Sequence, residues 1–298
     1  MPLTYTPRKR FSPQEYAQAI LAGDRIMLSR AITLIESKLP SDVALAEKVL
    51  EIILPHTGNS LRVGITGVPG VGKSTFIESF GKLITGMGKK LAVLTIDPSS
   101  QRSKGSILGD KTRMESLAND PMAYIRPSAS GATLGGVNNK TRETMLLCEA
   151  AGYEVILIET VGVGQSETTV AEIADFFLLL MLAGAGDELQ GIKKGIMEMA
   201  DALVITKADG DNVTMSQMAA REYANAMRLF PAQDSGWEPE VLTCSSVEQR
   251  GLDAVWDVIV RHHELMCQTG YFQAKRMEQN IAWMNEIIDY YLKYDFLH

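Results

Sequence analysis

The sequence predicts an α/β fold in which a mostly parallel sheet is flanked by helices, with helical N- and C-terminal extensions. Three observations predict it. Seven short apolar runs alternate with helical stretches, polar and glycine-rich residues follow the runs, and the first run leads into a glycine-rich loop. Strand–helix alternation at this spacing is typical of βαβ units. In such a sheet, ligands bind at the carboxyl ends of the strands.

The elements follow in chain order. The opening residues predict a helical extension over 1–58, whose first helix has Ser12 as N-cap and Pro13 at its first position. The predicted strands are LRVGIT, KLAVLTID, AYIRP, EVILIET, FFLLLML, ALVITK and EVLTCS. The helices after them are predicted to begin near Lys73, Asp110, Asn139, Glu188, Val213 and Gly251. We therefore expect a sheet domain over 59–262 and a C-terminal helical arm over 263–298, a possible dimerisation element.

Composition excludes several classes of protein. Among 298 residues, 29 Lys and Arg stand against 36 Asp and Glu, a net charge of −7, which argues against general nucleic-acid binding. The most apolar run, FFLLLMLA, is too short to span a bilayer and predicts a buried strand. The basic N-terminus lacks the apolar core of a secretory signal. We expect a cytoplasmic protein with no membrane association.

The cysteines and histidines give no metal-binding pattern. Cys148, Cys244 and Cys267 are far apart, which favours a reducing compartment, and we expect them to be small buried side chains. His262 and His263 are adjacent, and neighbouring positions on a helix do not face each other. We expect this pair to lie on a helix surface.

The segment GVPGVGKST satisfies the pattern G-x-x-x-x-G-K-[ST] between an apolar run and a helix. Its glycines let backbone N–H groups point at an anion, Lys73 reaches the β- and γ-phosphates, and the Ser74 hydroxyl binds Mg²⁺. The positive end of the helix faces the same phosphates. The segment therefore predicts a phosphate-binding loop (P-loop) for a nucleoside triphosphate, made of Gly67, Val68, Pro69, Gly70, Val71, Gly72, Lys73, Ser74 and Thr75.

Two later segments indicate that the base is guanine. In TKAD, Asp209 can accept hydrogen bonds from N1–H and the 2-amino group of guanine, a donor pair that adenine lacks, and the Lys207 stem can cover the ring. The usual motif has Asn where this chain has Thr206, whose hydroxyl can still brace the loop. A backbone N–H from CSS would reach guanine O6. The predicted contacts there are Ser245, Ser246 and Val247.

Acidic residues at strand ends predict a magnesium site. Glu159 ends the run EVILIE, and Gly162 after it can donate its N–H to the γ-phosphate. Asp97 ends another run and Asp110 lies in LGDKTR, so both are further candidates for the metal. Alternatively, these acids are strand-end or helix-capping carboxylates.

The residue after Gly162 predicts slow hydrolysis. Ras-type GTPases carry a water-orienting Gln there, whereas this chain has Val163. Gln165 in the same loop is a candidate for the missing role. We expect a low intrinsic rate that rises with a partner protein.

Two glycine-rich segments are predicted to change conformation with the nucleotide: RPSASGATLGGVNN and AGAGDELQGIKKG. The second carries Asp187, Glu188, Lys193 and Lys194. The alternative interpretation of this second segment is a solvated charged loop.

Taken together, GVPGVGKST, IDPSS, GSILGDKTRM, LLCEAAGY, ETVGVGQSE, DELQGIKKG and TKADGDN resemble the methylmalonyl-CoA mutase-associated GTPases of the MeaB/ArgK type, over roughly residues 15–290. The resemblance implies a P-loop GTPase of the signal-recognition and MinD-related class. It also implies a chaperone of adenosylcobalamin-dependent acyl-CoA mutases, which uses GTP hydrolysis to time cofactor loading and to protect the mutase.

The resemblance also assigns residues. It implies that Gly67 to Thr75 bind phosphate, Asp209 reads guanine and Ser245 to Val247 close over the base, with Ser246 in place of the usual alanine. Asp97, Asp110 and Glu159 fall at metal and catalytic positions. The residues expected to signal nucleotide state to the mutase are Asp187, Glu188, Gln190, Lys193 and Lys194.

A homodimer is a further expectation. Family members dimerise through a C-terminal arm that continues past the end of this chain. The stripe Ile281, Met284 and Ile288 either supports such a dimer or packs on its own domain.

Two other functions stay open. One is a P-loop ATPase or kinase linked to amino-acid transport, which would need adenine and an acceptor hydroxyl. The other is a scaffold that binds GTP without hydrolysing it, against which the retained Ser74, Asp97 and Glu159 argue.

Overall fold

A computed structural model shows a seven-stranded parallel sheet. The structure describes residues 11–96, 114–127, 134–160, 166–184, 194–231 and 233–297. The strands are β1 (Leu61–Gly67), β2 (Leu91–Ile96), β3 (Ala123–Pro127), β4 (Val155–Thr160), β5 (Phe176–Met181), β6 (Ala202–Ile205) and β7 (Glu240–Thr243). The predicted fold class and all seven predicted strands are confirmed.

The strand order is β3-β2-β4-β1-β5-β6-β7. All residues of β1, β2, β4, β5 and β6 are buried, as continuous apolar runs in a parallel sheet predict. The central position of β1, between β4 and β5, sets the site. Its register pairs Ile65 with Glu159 and Gly67 with Leu180.

Helices connect the strands. Those within the described ranges are α1 (Pro13–Leu21), α2 (Arg25–Glu36), α3 (Pro40–Ile53), α4 (Lys73–Gly86), α5 (Glu115–Ala118), α6 (Leu134–Ala150), α7 (Ser166–Ile173), α8 (Lys194–Met199), α9 (Val213–Met227), α10 (Leu252–Thr269) and α11 (Tyr271–Leu297). Among these helices, none combines the length and apolar character needed to cross a bilayer.

The predicted helix starts are correct at Lys73 and Val213, and Gly251 is the N-cap of α10. The start predicted near Asn139 is wrong, because α6 begins at Leu134 and includes the glycine pair that favours a loop. Helix α7 was not predicted. The predicted starts near Asp110 and Glu188 lie outside the described residues.

The molecule divides into two compact units. The first contains the described residues up to Asn59 together with Arg142–Tyr153. Its helix α1 begins with a capping box: Glu15 N donates to Ser12 Oγ at 3.2 Å, and Ser12 N donates to Glu15 Oε2 at 2.7 Å. This geometry confirms the predicted N-cap at Ser12 and the proline after it.

The second unit contains Ser60–Thr141 and Glu154–His298, within the described ranges. It holds the whole sheet, α10 and α11. Gly270, with φ +74°, separates these two helices. Residue 263, where the sequence analysis starts the C-terminal arm, lies inside α10.

Two sequence expectations about single side chains need correction. His262 is buried rather than on the helix surface, because α10 turns that side towards the sheet, and only its neighbour His263 is partly exposed. Cys148 and Cys244 are buried as expected, whereas Cys267 is exposed. None of these three cysteines, all within the described residues, forms a disulfide.

Candidate functional site

The phosphate loop connects β1 to α4 at the carboxyl edge of the sheet. A Cβ atom at Gly67 would lie 2.5 Å from Leu180 O on the neighbouring strand, so only glycine fits where the loop leaves β1. Gly72 has φ +88°, in the left-handed region, and no side chain caps the helix that follows it. The first backbone N–H groups of α4 are therefore available to an anion.

Lys73 lies across this loop. Its Nζ donates to Gly67 O at 2.8 Å, so the ammonium is held over the segment that turns from strand to helix. Burial lowers the pKa of Lys73, and the nearby carboxylates of Glu159 and Glu167 partly offset that effect. A half-buried ammonium whose acceptor is a loop carbonyl is suited to exchange that carbonyl for a phosphate oxygen.

Two oxygen-bearing side chains meet beside the lysine. The Ser74 hydroxyl lies 3.5 Å from Glu159 Oε1, and Glu159 is buried at the end of β4. The hydroxyls of Thr66 and Thr160 are 2.9 Å apart and tie the ends of β1 and β4 together. Hydroxyl and carboxylate oxygens are the ligands that Mg²⁺ prefers. Ser74 and Glu159 therefore fit part of a magnesium site.

Glu167 belongs to this site and was not identified by sequence reasoning. It lies in the first turn of α7, is buried, and its charge acts on Lys73. The signal was present in the segment ETVGVGQSE, whose final acid is Glu167. It was missed because helix α7 was not predicted, so no element brought that acid back towards the loop.

The segment after β6 braces the phosphate loop. Thr206 Oγ1 donates to Val71 O at 2.7 Å and also lies 3.3 Å from Met181 O. Lys207, which has φ +55°, donates from Nζ to Gly70 O at 2.8 Å. Two consecutive side chains therefore hold two carbonyls of the phosphate loop, and Thr206 makes its bond with a hydroxyl where the usual motif has an amide.

The segments after β6 and β7 also meet each other. Ser245 Oγ donates to Asp209 Oδ2 at 2.6 Å and accepts from Glu248 N at 3.0 Å. Ser79 Oγ on α4 donates to Ser246 O at 2.9 Å. Val247 is 81% exposed. The predicted base-contacting residues thus lie around one carboxylate, linked to the helix that carries the phosphate loop.

Several predicted site residues cannot be placed. Asp97, Asp110, Gly162, Gln165, Asp187, Glu188, Gln190 and Lys193 lie outside the described residues. Lys194 is the first residue of α8. Within the described ranges, no group of three or more His, Cys, Asp or Glu side chains could hold a metal ion. Two of the four residues predicted for magnesium, Asp97 and Asp110, fall beyond those ranges.

Comparison with known protein families gives one consistent result. A family model described as methylmalonyl Co-A mutase-associated GTPase MeaB matches residues 28–296. A probable GTPase of Mycobacterium tuberculosis is 53% identical over 272 residues, which are 91% of this chain and 81% of that protein. GTPase ArgK of Escherichia coli is 48% identical over 272 residues, with the same share of this chain and 82% of its own.

A eukaryotic relative matches over a similar span. The mouse protein named methylmalonic aciduria type A homolog, mitochondrial, is 46% identical over 290 residues, 94% of this chain and 70% of that protein.

Solved structures agree on the fold. The crystal structure of an LAO/AO transport system kinase is 40% identical, covers 96% of this chain and 86% of its own, and superposes with a TM-score of 0.81. HypB from Helicobacter pylori in complex with nickel, at 17% identity and a TM-score of 0.51, covers 73% of this chain and 93% of its own. That second likeness shows the fold alone.

Proposed function

Because the chain belongs to the methylmalonyl-CoA mutase-associated GTPase family, we propose that it is a GTP-hydrolysing switch that assists an adenosylcobalamin-dependent acyl-CoA mutase. Hydrolysis would time the loading of the cobalamin cofactor and protect the mutase from inactivation. The observation that carries the nucleotide part is the hydrogen-bonded assembly of phosphate loop, Thr206–Lys207 and Asp209–Ser245. The description of the family model and the name of the mouse relative support the mutase part.

The nucleotide would lie along the carboxyl edge of the sheet. Gly67 to Thr75 surround the phosphates with backbone N–H groups, and Lys73 exchanges Gly67 O for phosphate oxygens. Asp209 accepts from the guanine base, and Ser245 to Val247 close over it. The Ser245 hydroxyl orients the Asp209 carboxylate, which supports this assignment.

Ser74 and Glu159 would hold Mg²⁺, together with Asp97 and Asp110. The metal neutralises charge on the β- and γ-phosphates when bound. Glu159 is buried, and its Oε1 lies 3.5 Å from the Ser74 hydroxyl. The negative charge of its carboxylate also acts on the Lys73 ammonium. Glu159→Ala should mainly slow turnover.

We propose that intrinsic hydrolysis is slow. Val163 cannot orient water, and Gln165 is the candidate for that role, with the partner completing the site. The loop with Asp187, Glu188, Gln190, Lys193 and Lys194 would report the nucleotide state to the mutase. Single-turnover hydrolysis by the pure protein, with and without the mutase, measures the difference. A rate ordinary for a metabolic enzyme without partner would overturn this part.

The base assignment has a direct test. Asp209→Asn should weaken GTP binding and favour xanthosine triphosphate, because the group at position 2 of that base is an acceptor, which the new amide can meet with a donor. Calorimetric titration with both nucleotides measures the exchange of preference. Asp211→Asn is the matched control, since Asp211 is an exposed acid two residues further on. Unchanged GTP affinity in Asp209→Asn would remove Asp209 as the reader.

The C-terminal helix supports a homodimer. On α11, Met277, Ile281, Met284, Ile288 and Leu292 are each between 46% and 65% exposed. Their spacings of three and four residues form one apolar stripe, which is typical of a helix that pairs with another helix. Ile281→Glu should shift sedimentation from dimer to monomer, whereas the same change at exposed Asn280 should leave the dimer intact. A monomeric wild type would contradict the dimer.

The alternative, a P-loop kinase linked to transport, is kept because of the name of the 40% identical solved structure. It requires ATP and a phosphorylated acceptor. Titration with ATP beside GTP, followed by a search for labelled acceptor, separates the two functions. Co-purification with a cobalamin-dependent mutase would support the first.

The three described cysteines form no disulfide, which favours a reducing compartment such as the cytoplasm.

A further inference from the structure

We propose that Arg250 is a positioning residue for guanine recognition, which acts by holding the peptide bond that precedes Asp209. This inference rests on the proposed reading of guanine by Asp209. Arg250 lies between β7 and α10, and its side chain reaches back to the segment after β6. Neither the phosphate-loop pattern nor the TKAD and CSS segments include it.

The guanidinium of Arg250 fixes one carbonyl. Its Nη2 donates to Ala208 O, which belongs to the peptide bond that joins Ala208 to Asp209. On the other side, Ala208 N donates to Cys244 O at 3.0 Å. Because Ala208 is held by both its N–H and its C=O, the peptide plane from which Asp209 extends cannot rotate freely.

The backbone of Arg250 is bound to the residue that holds the Asp209 carboxylate. Ser245 N donates to Arg250 O at 2.9 Å, and Arg250 N donates to Ser245 O at 3.0 Å. The hydroxyl of Ser245 then donates to Asp209 Oδ2 at 2.6 Å. Arg250 therefore reaches Asp209 by two routes, through its main chain to the carboxylate and through its side chain to the backbone.

The segment after β6 needs such external support. Lys207 is a non-glycine residue with φ +55°, a conformation that costs free energy unless its surroundings impose it. Asn212 Nδ2 donates to Lys207 O at 2.7 Å, and Arg250 binds the next carbonyl. Two side chains thus hold consecutive carbonyls directly before the proposed base reader.

The bond to Ala208 matters more than the ion pair of Arg250. Nη1 of Arg250 lies 3.1 Å from Glu248 Oε2, with 56% and 43% of the two side chains exposed. Exposed pairs of this kind contribute little. A charged donor on a backbone carbonyl is a stronger hydrogen bond. Removing it should let the Ala208–Asp209 peptide turn, which would misdirect the carboxylate.

The test compares GTP with inosine triphosphate, whose base lacks the 2-amino group. In Arg250→Ala, GTP affinity should fall about tenfold and inosine triphosphate affinity about twofold, because the misdirected carboxylate first loses the 2-amino contact. The GTP preference therefore falls about fivefold, as measured by calorimetric titration. Arg250→Gln, which keeps the aliphatic stem, should give the same loss and serves if the alanine variant does not fold.

Two controls isolate the contact. Arg261→Ala removes an arginine that is 55% exposed and pairs with Glu240 at 2.8 Å, away from the base segments. Glu248→Gln removes the ion pair of Arg250 but retains its bond to Ala208. Both control variants should keep the wild-type preference for GTP over inosine triphosphate.

The outcomes separate this inference from the proposed function. Suppose that Asp209→Asn changes the nucleotide preference, but Arg250→Ala and Arg250→Gln keep the wild-type ratio of GTP affinity to inosine triphosphate affinity. The role of Arg250 is then overturned. An equal loss of affinity for both nucleotides also overturns it, because a merely structural role of Arg250 would give that result. If Asp209→Asn has no effect, the guanine site itself is wrong.

Discussion

At the amino edge of the sheet, where the strands begin, charged side chains bind one another, whereas at the carboxyl edge they bind loop carbonyls. Asp175 accepts from Arg62 N at 2.8 Å and from Arg276 at 2.5 and 2.6 Å, and it is buried. At the opposite edge, Lys73 and Lys207 donate to carbonyls of the phosphate loop. At the amino edge the buried Asp175 is paired with Arg276, and at the carboxyl edge the two lysines bind neutral carbonyls and can change acceptor.

A second buried carboxylate strengthens the contrast. Asp201 accepts from Phe177 N at 2.8 Å, and burial raises its pKa to about 6. His262 Nε2 lies 3.8 Å from Asp201 Oδ1, between the rings of Phe176 and Trp237, and burial lowers the pKa of His262 to about 3. Although this cluster holds a buried carboxyl and a buried imidazole, its contacts are internal, so we assign it to stability. A perturbed pKa alone does not mark a functional site.

The largest expected effect is at the amino edge. Arg276→Ala should lower the free energy of unfolding by about 3–5 kcal/mol, because it leaves Asp175 buried without its bidentate partner. Urea denaturation measures the loss, and GTP affinity of the folded variant should stay within about twofold. Arg261→Ala, which breaks an exposed ion pair, should cost less than about 1 kcal/mol. Equal losses in both variants would contradict the comparison.

The pH dependence of stability should also come from the amino edge. Folded Asp201 keeps its proton to about pH 6, above the ordinary value of 3.8, so the folded state binds more protons in that window and stability is lost as pH rises through it. Relative to Asp201→Asn, the wild type should lose on the order of 3 kcal/mol between pH 3 and 7. His262 is common to both proteins. Urea denaturation across this range measures the difference, and a flat difference would refute the assignment.

At the carboxyl edge, the effect should be on binding. Lys73→Ala should weaken GTP binding about 100-fold, or about 2.7 kcal/mol, because it removes the cation closest to the phosphates. The unfolding free energy should not fall, since the ammonium that is removed is partly desolvated in the folded protein. Lys89→Ala is the control, as Lys89 forms an exposed pair with Glu154. Isothermal calorimetry and urea denaturation give both quantities, and a variant that lost stability but kept GTP affinity would reverse the roles of the two edges.

The smallest effect should come from the hydrogen bond between Thr206 and the phosphate loop. Thr206→Val keeps the side-chain shape but removes the bond to Val71 O, which should cost about 1 kcal/mol, or about fivefold in GTP affinity. GTP and inosine triphosphate should weaken equally, because the phosphate loop and not the base is affected. Thr33→Val, which removes a hydroxyl bonded to Ser29 O on α2, should leave binding unchanged. A selective loss of GTP would show that Thr206 acts on the base instead.

The carboxyl edge could be predicted from sequence because its information is local. The phosphate loop occupies consecutive residues, and polar residues that we predict to form the site end or directly follow β1, β4, β6 and β7. The amino edge gave no such signal. Asp175 and Arg276 are 101 residues apart, and each taken alone reads as an ordinary surface charge. His262 was read as exposed because helical spacing does not reveal which side of α10 meets the sheet.

Misreadings at the carboxyl edge had a similar cause. The glycines and polar residues at the starts of α6 and α7 favour loops. Helix α7 packs on β1, β4 and β5, which overrides that preference. Glu167 was not identified as a site residue because α7 was not predicted. The Thr206 hydroxyl bond was expected, whereas the reach of Arg250 to Ala208 was not, since 42 residues separate them.

Asp175 joins the first peptide N–H of β1 after Leu61 to a side chain of α11, while the far end of β1, about 17 Å away, opens into the phosphate loop. Shortening the chain ahead of Arg276 to study self-association would therefore also release the base of the strand that supports the triphosphate. Weak nucleotide binding by such a truncated protein would then reflect a smaller folded fraction rather than a role of the removed helix in chemistry.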